Sequence, residues 1–354
     1  MTTNTREFPT RQRGLGLVEI MVGIVISMLM VLMIYQVYQV AEGQKRTVTS
    51  GSDAQQNATY GLYLLGQDLS IAGNVIAASA QALSGCAIAR PIPVIIAAGA
   101  TDNDPDTVTV FYGGGGSLSA PTAFLNSPTV SGSTPGAYQV AGPVAFSPSD
   151  LLVAVQGTNC TLSTINAAGV SVDVTSGTAT LSHTLTSTPG NNATATYNAV
   201  TAQLVNLGQP DRFARVLYSV APANATLTTQ ALLPTTQAAT PLVAQVVNLK
   251  VMYGLDTDAD GAVDTWQAAT GNWSSANLPL QPLATWQQIR AVRVAIVTRG
   301  DQYEKDTVTP GPLGMFCSPG PCVYSMTLNS DQQHYRYKVL ETTIPLRNAV
   351  WNAS

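Results

Sequence analysis

The strongest constraint on how this chain folds is an apolar run of twenty residues that begins at Leu15 and ends at Ile34. Its sequence is LGLVEIMVGIVISMLMVLMI, and Glu19 is its only charged residue. A helix of that length rises about 30 Å, which is the hydrocarbon thickness of a bilayer. Residues 1–14 hold three arginines against one glutamate, and positively charged flanks stay in the cytoplasm. The run therefore predicts a single membrane-spanning helix, with the remainder of the chain exported.

The carboxylate of Glu19 separates three kinds of membrane segment. A secretory signal has an apolar region of about 7 to 15 residues and a small-residue cleavage site, whereas this run is longer and lacks such a site. A plain signal anchor tolerates the length but has no use for a carboxylate near the start of the run. A charge inside a membrane helix is costly and indicates a function. We therefore expect Glu19 to have a charged partner, the alternative being a side chain that reaches water at the headgroup boundary.

The third kind of segment is indicated by the string RGLGLVEIM, which resembles the prepilin motif of type IV pilins. The resemblance implies that a prepilin peptidase cuts after Gly14 on the cytoplasmic side and that Leu15, where Phe is usual, becomes an N-methylated terminus. Glu19 is then the fifth mature residue, at which the family carries a glutamate. Isolated ions in lipid cost several kcal/mol. The resemblance accordingly implies that Glu19 meets the terminal amine of an adjacent subunit during filament assembly.

The helix is expected to continue beyond the membrane, because no proline occurs between Leu15 and Pro91. Apolar residues recur at roughly helical spacing, but they are interrupted by a polar segment, residues 43–53, that contains two glycines. We predict a helix to about Val48, a loosened joint near Gly51 and a second helical stretch from Asp53 to Ala72. In pilins this amphipathic half packs against the sheet of the globular domain, the alternative being a solvated stalk.

The exported part is predicted to be rich in antiparallel β-structure, since β-branched runs alternate with clusters of Gly, Pro, Ser and Asn. Only 10% of the residues are charged, against about a quarter in ordinary globular domains, which excludes a basic face for nucleic acid. The predicted strands are Thr107 to Tyr112, Leu151 to Gln156, Val170 to Val174, Thr194 to Leu204, Arg215 to Val220, Val246 to Tyr253, Ile289 to Thr298 and Tyr335 to Ile344.

Five further strings together resemble the PilW group of type IV pilus minor pilins. They are QDLSIAGN near residue 70, the later Gly85-Cys86, YGLDTDADGAVDTW from Tyr253, AVRVAIVTRG from Ala291 and YRYKVLETTIPLRN from Tyr335. The resemblance implies an α+β, type IV pilin-like fold, in which a long N-terminal helix packs on an antiparallel β-sheet domain with an expanded β-rich insertion. The expected segments are a leader at 1–14, the hydrophobic and amphipathic helix at 15–72, and the exported domain at 73–354 with a variable region at about 91–241.

The same resemblance implies a minor pilin that helps to initiate pilus assembly at or near the pilus tip and supports adhesion or motility. The implied partners are other minor pilins, the major pilin, the prepilin peptidase, the inner-membrane assembly platform and a tip adhesin. The expected location is the inner membrane, crossed once, and then the pilus at the cell surface. Two alternatives remain: a J-type pseudopilin of type II secretion, and a membrane-anchored calcium-dependent adhesin. Enzymatic activity is not expected, because neither His183 nor His334 accompanies a nucleophile or metal motif.

One acidic motif predicts a cation site. Its carboxylates follow the pattern D-x-D-x-D-G-x-x-D and are Asp256, Asp258, Asp260 and Asp264. Alternate carboxylates can converge on one hard cation, and their oxygens suit Ca²⁺ at about 2.3 to 2.6 Å. The twelfth position of this motif is Gln267, where a calcium loop has a bidentate glutamate. Ca²⁺ is therefore one interpretation, and an Asp/Gly turn whose carboxylates point into water is the other.

Four cysteines suit an oxidising compartment. Cys317 and Cys322 lie in the string CSPGPC, in which two prolines and a glycine favour a tight loop, so a local disulfide is expected rather than a metal site. Cys86 and Cys160 would then pair across the variable region.

Overall fold

The computed structural model describes residues 16–74, 76–113, 120–131, 136–142, 146–186, 191–211, 213–233, 236–318 and 320–350. The chain divides into two compact units, Met1–Ser50 and Gly51–Ser354. The described part of the first unit, residues 16–50, is helical from Leu17 onward. The second contains the sheets.

A single helix, α1 (Leu17–Ile71), begins in the first unit and ends in the second. Among the described helices it alone is long and apolar enough to cross a membrane, judged by length and composition. The predicted joint near Gly51 is wrong, because the helix passes through this residue without interruption. A helical glycine costs only about 1 kcal/mol relative to alanine, which one long helix absorbs. Arg46 in the polar segment also pairs with a residue one helical turn earlier: its Nε lies 3.3 Å from Glu42 Oε1.

Besides α1, the described residues form nineteen strands and three short α-helices. The strands are β1 (Val94–Ala97), β2 (Thr107–Tyr112), β3 (Thr122–Ala123), β4 (Thr129–Ser131), β5 (Gly136–Ala141), β6 (Leu151–Gln156), β7 (Asn159–Asp173), β8 (Thr178–Leu185), β9 (Thr194–Thr196), β10 (Gln203–Gly208), β11 (Ala214–Ala221), β12 (Thr226–Leu233), β13 (Thr240–Ala244), β14 (Val246–Leu255), β15 (Thr265–Ala268), β16 (Ile289–Arg299), β17 (Leu313–Met315), β18 (Tyr324–Met326) and β19 (Tyr337–Pro345). The short helices are α2 (Ala80–Leu83), α3 (Leu283–Gln287) and α4 (Arg347–Val350).

The strands form three main antiparallel sheets in the second unit. Their strand orders are β1-β2-β11-β12-β13, β3-β10-β6-β7-β8-β5 and β15-β14-β16-β19. Two further pairs, β17-β18 and β4-β9, complete the described sheets. The long helix and these sheets give the α+β, pilin-like architecture that the sequence predicts.

Most predicted strands coincide with observed ones, and β2 and β6 have the predicted bounds. The prediction of one strand from Thr194 to Leu204 is wrong, because a turn separates β9 from β10. Asn198 explains the turn: its side-chain Oδ1 accepts a hydrogen bond of 2.8 Å from Val200 N, and its carbonyl accepts one from Ala202 N. Asparagine favours such turns because its side chain competes with strand hydrogen bonds.

Within the second unit, the C-terminal part of α1 packs on two of the sheets. Its buried residues are Ala54, Ala58, Gly61, Leu65 and Leu69, which lie on one face. They belong to a core that also contains residues from the five-stranded and four-stranded sheets. The expected packing of the amphipathic half on a sheet is therefore confirmed, and the solvated stalk is excluded.

Polar contacts fix this part of the helix on the sheets. Thr298 Oγ1 on β16 donates a hydrogen bond of 2.9 Å to the carbonyl of Ala54. Tyr218 on β11 donates a hydrogen bond of 2.7 Å from its hydroxyl to Asp68 Oδ2. Burial raises the pKa of Asp68, although hydrogen bonds from Tyr218 and Tyr112 act in the opposite direction. These contacts fix the position of the helix along the strands.

Both expected disulfides are formed. Cys86 follows α2, and Cys160 lies on β7 in the six-stranded sheet. Both are buried in a second hydrophobic core, whereas the six-stranded sheet also has a core of its own on residues such as Tyr138 and Tyr197. Cys317 and Cys322 are exposed and close a short loop between β17 and β18.

Candidate functional site

The N-terminal candidate site begins at the first turn of α1. Glu19 is exposed there, and its backbone N donates a hydrogen bond of 3.0 Å to the carbonyl of Gly16. The predicted processing residues Gly14 and Leu15 lie outside the described residues. In the described part of the first unit, residues 16–50, Glu19 forms no ion pair.

The second candidate site is the loop that joins β14 to β15. One carboxylate oxygen from each of Asp256, Asp258 and Asp260 lies within 4.8 Å of the others, so these three groups are able to share a cation. Asp264 is not part of this group: its Oδ2 accepts hydrogen bonds from Thr257, at 2.7 Å from N and 2.8 Å from Oγ1. These bonds lower the pKa of Asp264 and close the base of the loop.

Asp256 is the buried member of the group. Its side chain is almost fully buried, and Oδ2 accepts hydrogen bonds from Arg290 Nε at 2.9 Å and from Gly261 N at 3.0 Å. Burial acts to raise the pKa of Asp256, but the hydrogen bonds from Arg290 and from two backbone amides outweigh burial and lower it. The carboxylate is thus held ionised. The other oxygen, Oδ1, is buried and has no hydrogen-bond partner among the residues that the structure describes.

The exposed members of the group shape the loop. Asp258 Oδ1 accepts a hydrogen bond of 3.2 Å from Asp260 N, and Asp260 Oδ1 accepts one of 2.7 Å from Ala262 N. Such aspartate turns bend the chain back within a few residues. The bend is sharp enough to require positive φ at Ala259 (64°) and Gly261 (91°). Three carboxylates are thereby concentrated on one side of a tight loop, an arrangement that suits a hard cation.

The sequence did not reveal that Arg290, on β16, is a partner of Asp256. The signal that would have found it is the antiparallel pairing of β14 with β16, which matches Leu255 with Ile289. Beyond this pair, Asp256 N donates a hydrogen bond of 2.9 Å to the carbonyl of Gln288. Arg290 follows Ile289 on β16, at the point where the register between the two strands shifts. Its guanidinium reaches Asp256 from there. Gln267, the predicted twelfth position, lies on β15 and donates to the carbonyl of Ala268.

Two parts of the chain match known protein families. Residues 218–348 match the family described as PilW, Type IV Pilus-assembly protein W, and residues 9–35 match the prokaryotic N-terminal methylation motif. The C-terminal part of the chain is thus a PilW-type pilus-assembly region, and the N-terminus carries the methylation motif. This family is a pilus-assembly family and is not typically enzymatic. No curated protein and no solved structure matches the chain.

The two matches contain the two candidate sites. The methylation motif includes the predicted cleavage position and Glu19. The PilW match, residues 218–348, includes the Asp loop and Arg290. Residues 36–217 lie outside both matches and contain every strand of the six-stranded sheet. The motif and the apolar helix are consistent with a protein that is held in the membrane before it joins the pilus.

Proposed function

We propose that this protein is a minor pilin that takes part in initiating type IV pilus assembly and lies at or near the pilus tip. The proposal rests on one observation: a methylation motif begins a membrane-length helix that continues into a segment packed on β-sheets. The helix supplies the contacts that enter the filament. The sheets form the exported body that meets the other minor pilins, the major pilin and, at the tip, an adhesin.

The assembly step depends on a charge pair. The prepilin peptidase cuts after Gly14, and the new amine of Leu15 then lies in the membrane close to the helix start. The carboxylate of Glu19 neutralises the amine of an adjacent subunit, because each ion left alone in lipid costs several kcal/mol. The pair also sets the axial register of the two helices as the inner-membrane platform adds a subunit.

Replacement of Glu19 tests this role. Glu19→Ala leaves the neighbouring amine unpaired, so we expect its incorporation into sheared pili to fall about tenfold or more, since 1.4 kcal/mol corresponds to a factor of ten. Incorporation is measured by quantitative immunoblot against the amount in the membrane. Glu42→Ala is the matched control, because Glu42 lies on the same helix and pairs only with Arg46 in the described structure. Equal incorporation of the Glu19→Ala and wild-type chains would contradict the proposed pair.

The mature N-terminus distinguishes the competing functions. A processed pilin begins at a methylated Leu15 by mass spectrometry, and loses that processing in cells that lack the peptidase. A membrane-anchored adhesin keeps residues 1–14. A J-type pseudopilin is processed in the same way but joins a secretion system, so its presence in purified pili separates the two. The match of residues 218–348 to the PilW family supports a pilus protein over the two alternatives.

We further propose that the Asp loop binds Ca²⁺ through Asp256, Asp258 and Asp260. The supporting observation is Asp256 Oδ1, a buried oxygen of an ionised carboxylate that has no hydrogen-bond partner in the described structure. Such an atom is costly to leave unpaired, and a divalent cation supplies the missing partner. The same cation reduces the repulsion between the three carboxylates. A bound ion would stabilise the β14–β15 connection.

Calcium titration of the full chain in non-ionic detergent tests this site. We expect saturable binding in calorimetry and terbium luminescence, with dissociation constants in the range of about 10⁻⁴ to 10⁻³ M that extracellular calcium modules show. At ten times the dissociation constant, calcium should add about 1.4 kcal/mol to the free energy of unfolding, and EGTA should remove it. Asp258→Asn combined with Asp260→Asn should abolish binding. Asp173→Asn is the control, because Asp173 forms an exposed turn at another site. Absence of saturable binding at millimolar Ca²⁺ would refute the site.

A further inference from the structure

A further cavity lies against the five-stranded sheet. Strand β2 alternates: Val108 and Val110 enter the core that contains α1, whereas Thr109 faces the opposite side of the sheet. On that opposite side the structure forms a cavity of about 250 Å³. Its walls are largely apolar, but two arginines, Arg90 and Arg215, also line it.

Neither arginine has an acidic partner among the described residues. No ion pair in the described structure includes Arg90 or Arg215. Arg90 donates from Nη1 to the carbonyl of Pro279, but its Nε is buried and has no acceptor in the described part of the chain. Arg215 is partly buried, and this burial lowers its pKa. Two cations that share one cavity also repel each other.

We propose that this cavity binds a carboxylate, and that the carboxylate is an acidic side chain of a partner pilin. Guanidinium and carboxylate groups match in charge and in their paired hydrogen-bonding geometry, so one carboxylate would supply acceptors for both arginines. A cavity of 250 Å³ holds about eight waters at roughly 30 Å³ each, and it lies below the usual range of about 300 to 1,000 Å³ for drug-sized ligands. It therefore suits one acidic side chain rather than a large organic molecule.

The cavity walls favour an aliphatic stem on that carboxylate. Ile92, Ile95 and Pro279 supply apolar surface beside the arginines. The methylene groups of a glutamate would contact this surface while its charge meets the guanidinium groups. The proposal that the cavity binds a carboxylate depends only on the two arginines. The proposal that a pilin supplies this carboxylate also rests on the proposed function.

Carboxylate binding can be measured on the isolated protein. The full chain, labelled with ¹⁵N in arginine and held in non-ionic detergent, is titrated with propionate at constant ionic strength, and the Nε–H resonances of Arg90 and Arg215 are observed. We expect saturable shifts of both resonances with propionate and none with the neutral isostere propionamide. Arg215→Gln should weaken binding at least tenfold, and Arg215→Lys should retain part of it. Equal shifts with chloride, or no saturable shift in the wild-type chain, would overturn the proposal.

The source of the carboxylate is tested in cells that assemble pili. A photocrosslinking amino acid at Ile95, in the cavity wall, should join the chain to a pilin segment that contains Asp or Glu, located by mass spectrometry. Exchange of the charges, with Arg215→Glu in this chain and the identified acid changed to Arg, should restore the incorporation that either change alone reduces. Propionate binding without a crosslink to an acidic pilin segment would overturn the pilin as the source. A chain that is processed at Leu15 and incorporated, but fails these tests, would leave the proposed function intact.

Discussion

At the scale of single residues, a buried ion pair joins the five-stranded sheet to the four-stranded sheet. Lys250 on β14 and Asp106, just before β2, are almost fully buried, and Nζ lies 3.0 Å from Oδ1. Lys250 also donates to the carbonyls of Thr101 and Asp104. Asp106 in turn accepts hydrogen bonds from two backbone amides. Each charge therefore has several partners, as a buried ion requires.

The loss of one partner should be strongly destabilising. Lys250→Met leaves the Asp106 carboxylate buried without its counter-charge, so we expect the free energy of unfolding to fall by about 3 to 5 kcal/mol. The measurement is chemical unfolding of the full chain in detergent. Glu304→Gln is the control, because Glu304 pairs with the half-exposed Arg336 and such pairs contribute about 1 kcal/mol or less. A loss in Lys250→Met no larger than that in the control would contradict this account.

The same pair shows what sequence reasoning misses at this scale. Lys250 occurs as a lone charge in an apolar β-run, and the sequence gives no indication that its partner lies 144 positions earlier in the chain. Arg290 is a similar case, since its role beside Asp256 depends on the register of β14 and β16. By contrast, Glu19 and the Asp loop are contained within short continuous motifs. Local patterns of that kind can be found without knowledge of the fold.

At the scale of elements, the glycines of α1 have different roles according to what surrounds them. A Cβ at Gly61 would lie 3.3 Å from Ile296 Cδ1 and 3.6 Å from Leu227 Cδ2, because the helix approaches both sheets closely there. A Cβ at Gly51 would have no neighbour within 4 Å. Sequence alone treats the two residues as equal helix breakers. The structure separates a glycine required by packing from one that the helix merely tolerates.

Leucine at each glycine tests this distinction. Gly61→Leu should lower the free energy of unfolding by about 1 to 2 kcal/mol, because overpacking typically costs about 1 to 3 kcal/mol and the gain in helix propensity offsets only part of it. Gly51→Leu should raise the free energy of unfolding by up to about 1 kcal/mol, because it gains propensity without a clash. Thermal and chemical unfolding of the two variants, compared with wild type, measure both effects. Equal effects at the two positions would contradict the close approach at Gly61.

The elements themselves were largely predictable, whereas their assembly was not. Alternation of β-branched residues marks β2, β6 and most other strands, and the absence of proline marks the long helix. The grouping of strands into separate sheets depends on contacts between distant parts of the chain. For example, β2 pairs with β11 rather than with any strand between residues 122 and 208. Periodicity within one segment carries no information about such partners.

At the scale of the whole molecule, the six-stranded sheet occupies a stretch of chain that neither family match covers. Its strands all lie between Thr122 and Gly208, and it has its own hydrophobic core. This region falls within the predicted variable region at about 91–241, whose boundaries remain a prediction. The disulfide between Cys86 and Cys160 ties this sheet to the segment that follows α1. The link crosses the beginning of the predicted variable region.

The two disulfides should therefore contribute unequally to stability. A cross-link stabilises mainly by restricting the unfolded chain, more so for a longer loop, and sequence separations of 74 and 5 give about 4 and about 2 kcal/mol. Cys86→Ala with Cys160→Ala should accordingly cost about 2 kcal/mol more than Cys317→Ala with Cys322→Ala. Burial of the first pair adds to its cost, because the alanines lose packing in the second core, whereas the second pair is exposed. Chemical unfolding of the two double variants under oxidising conditions measures the difference. Equal losses would mean that the bond at Cys160 does not restrict the unfolded chain as its loop length requires.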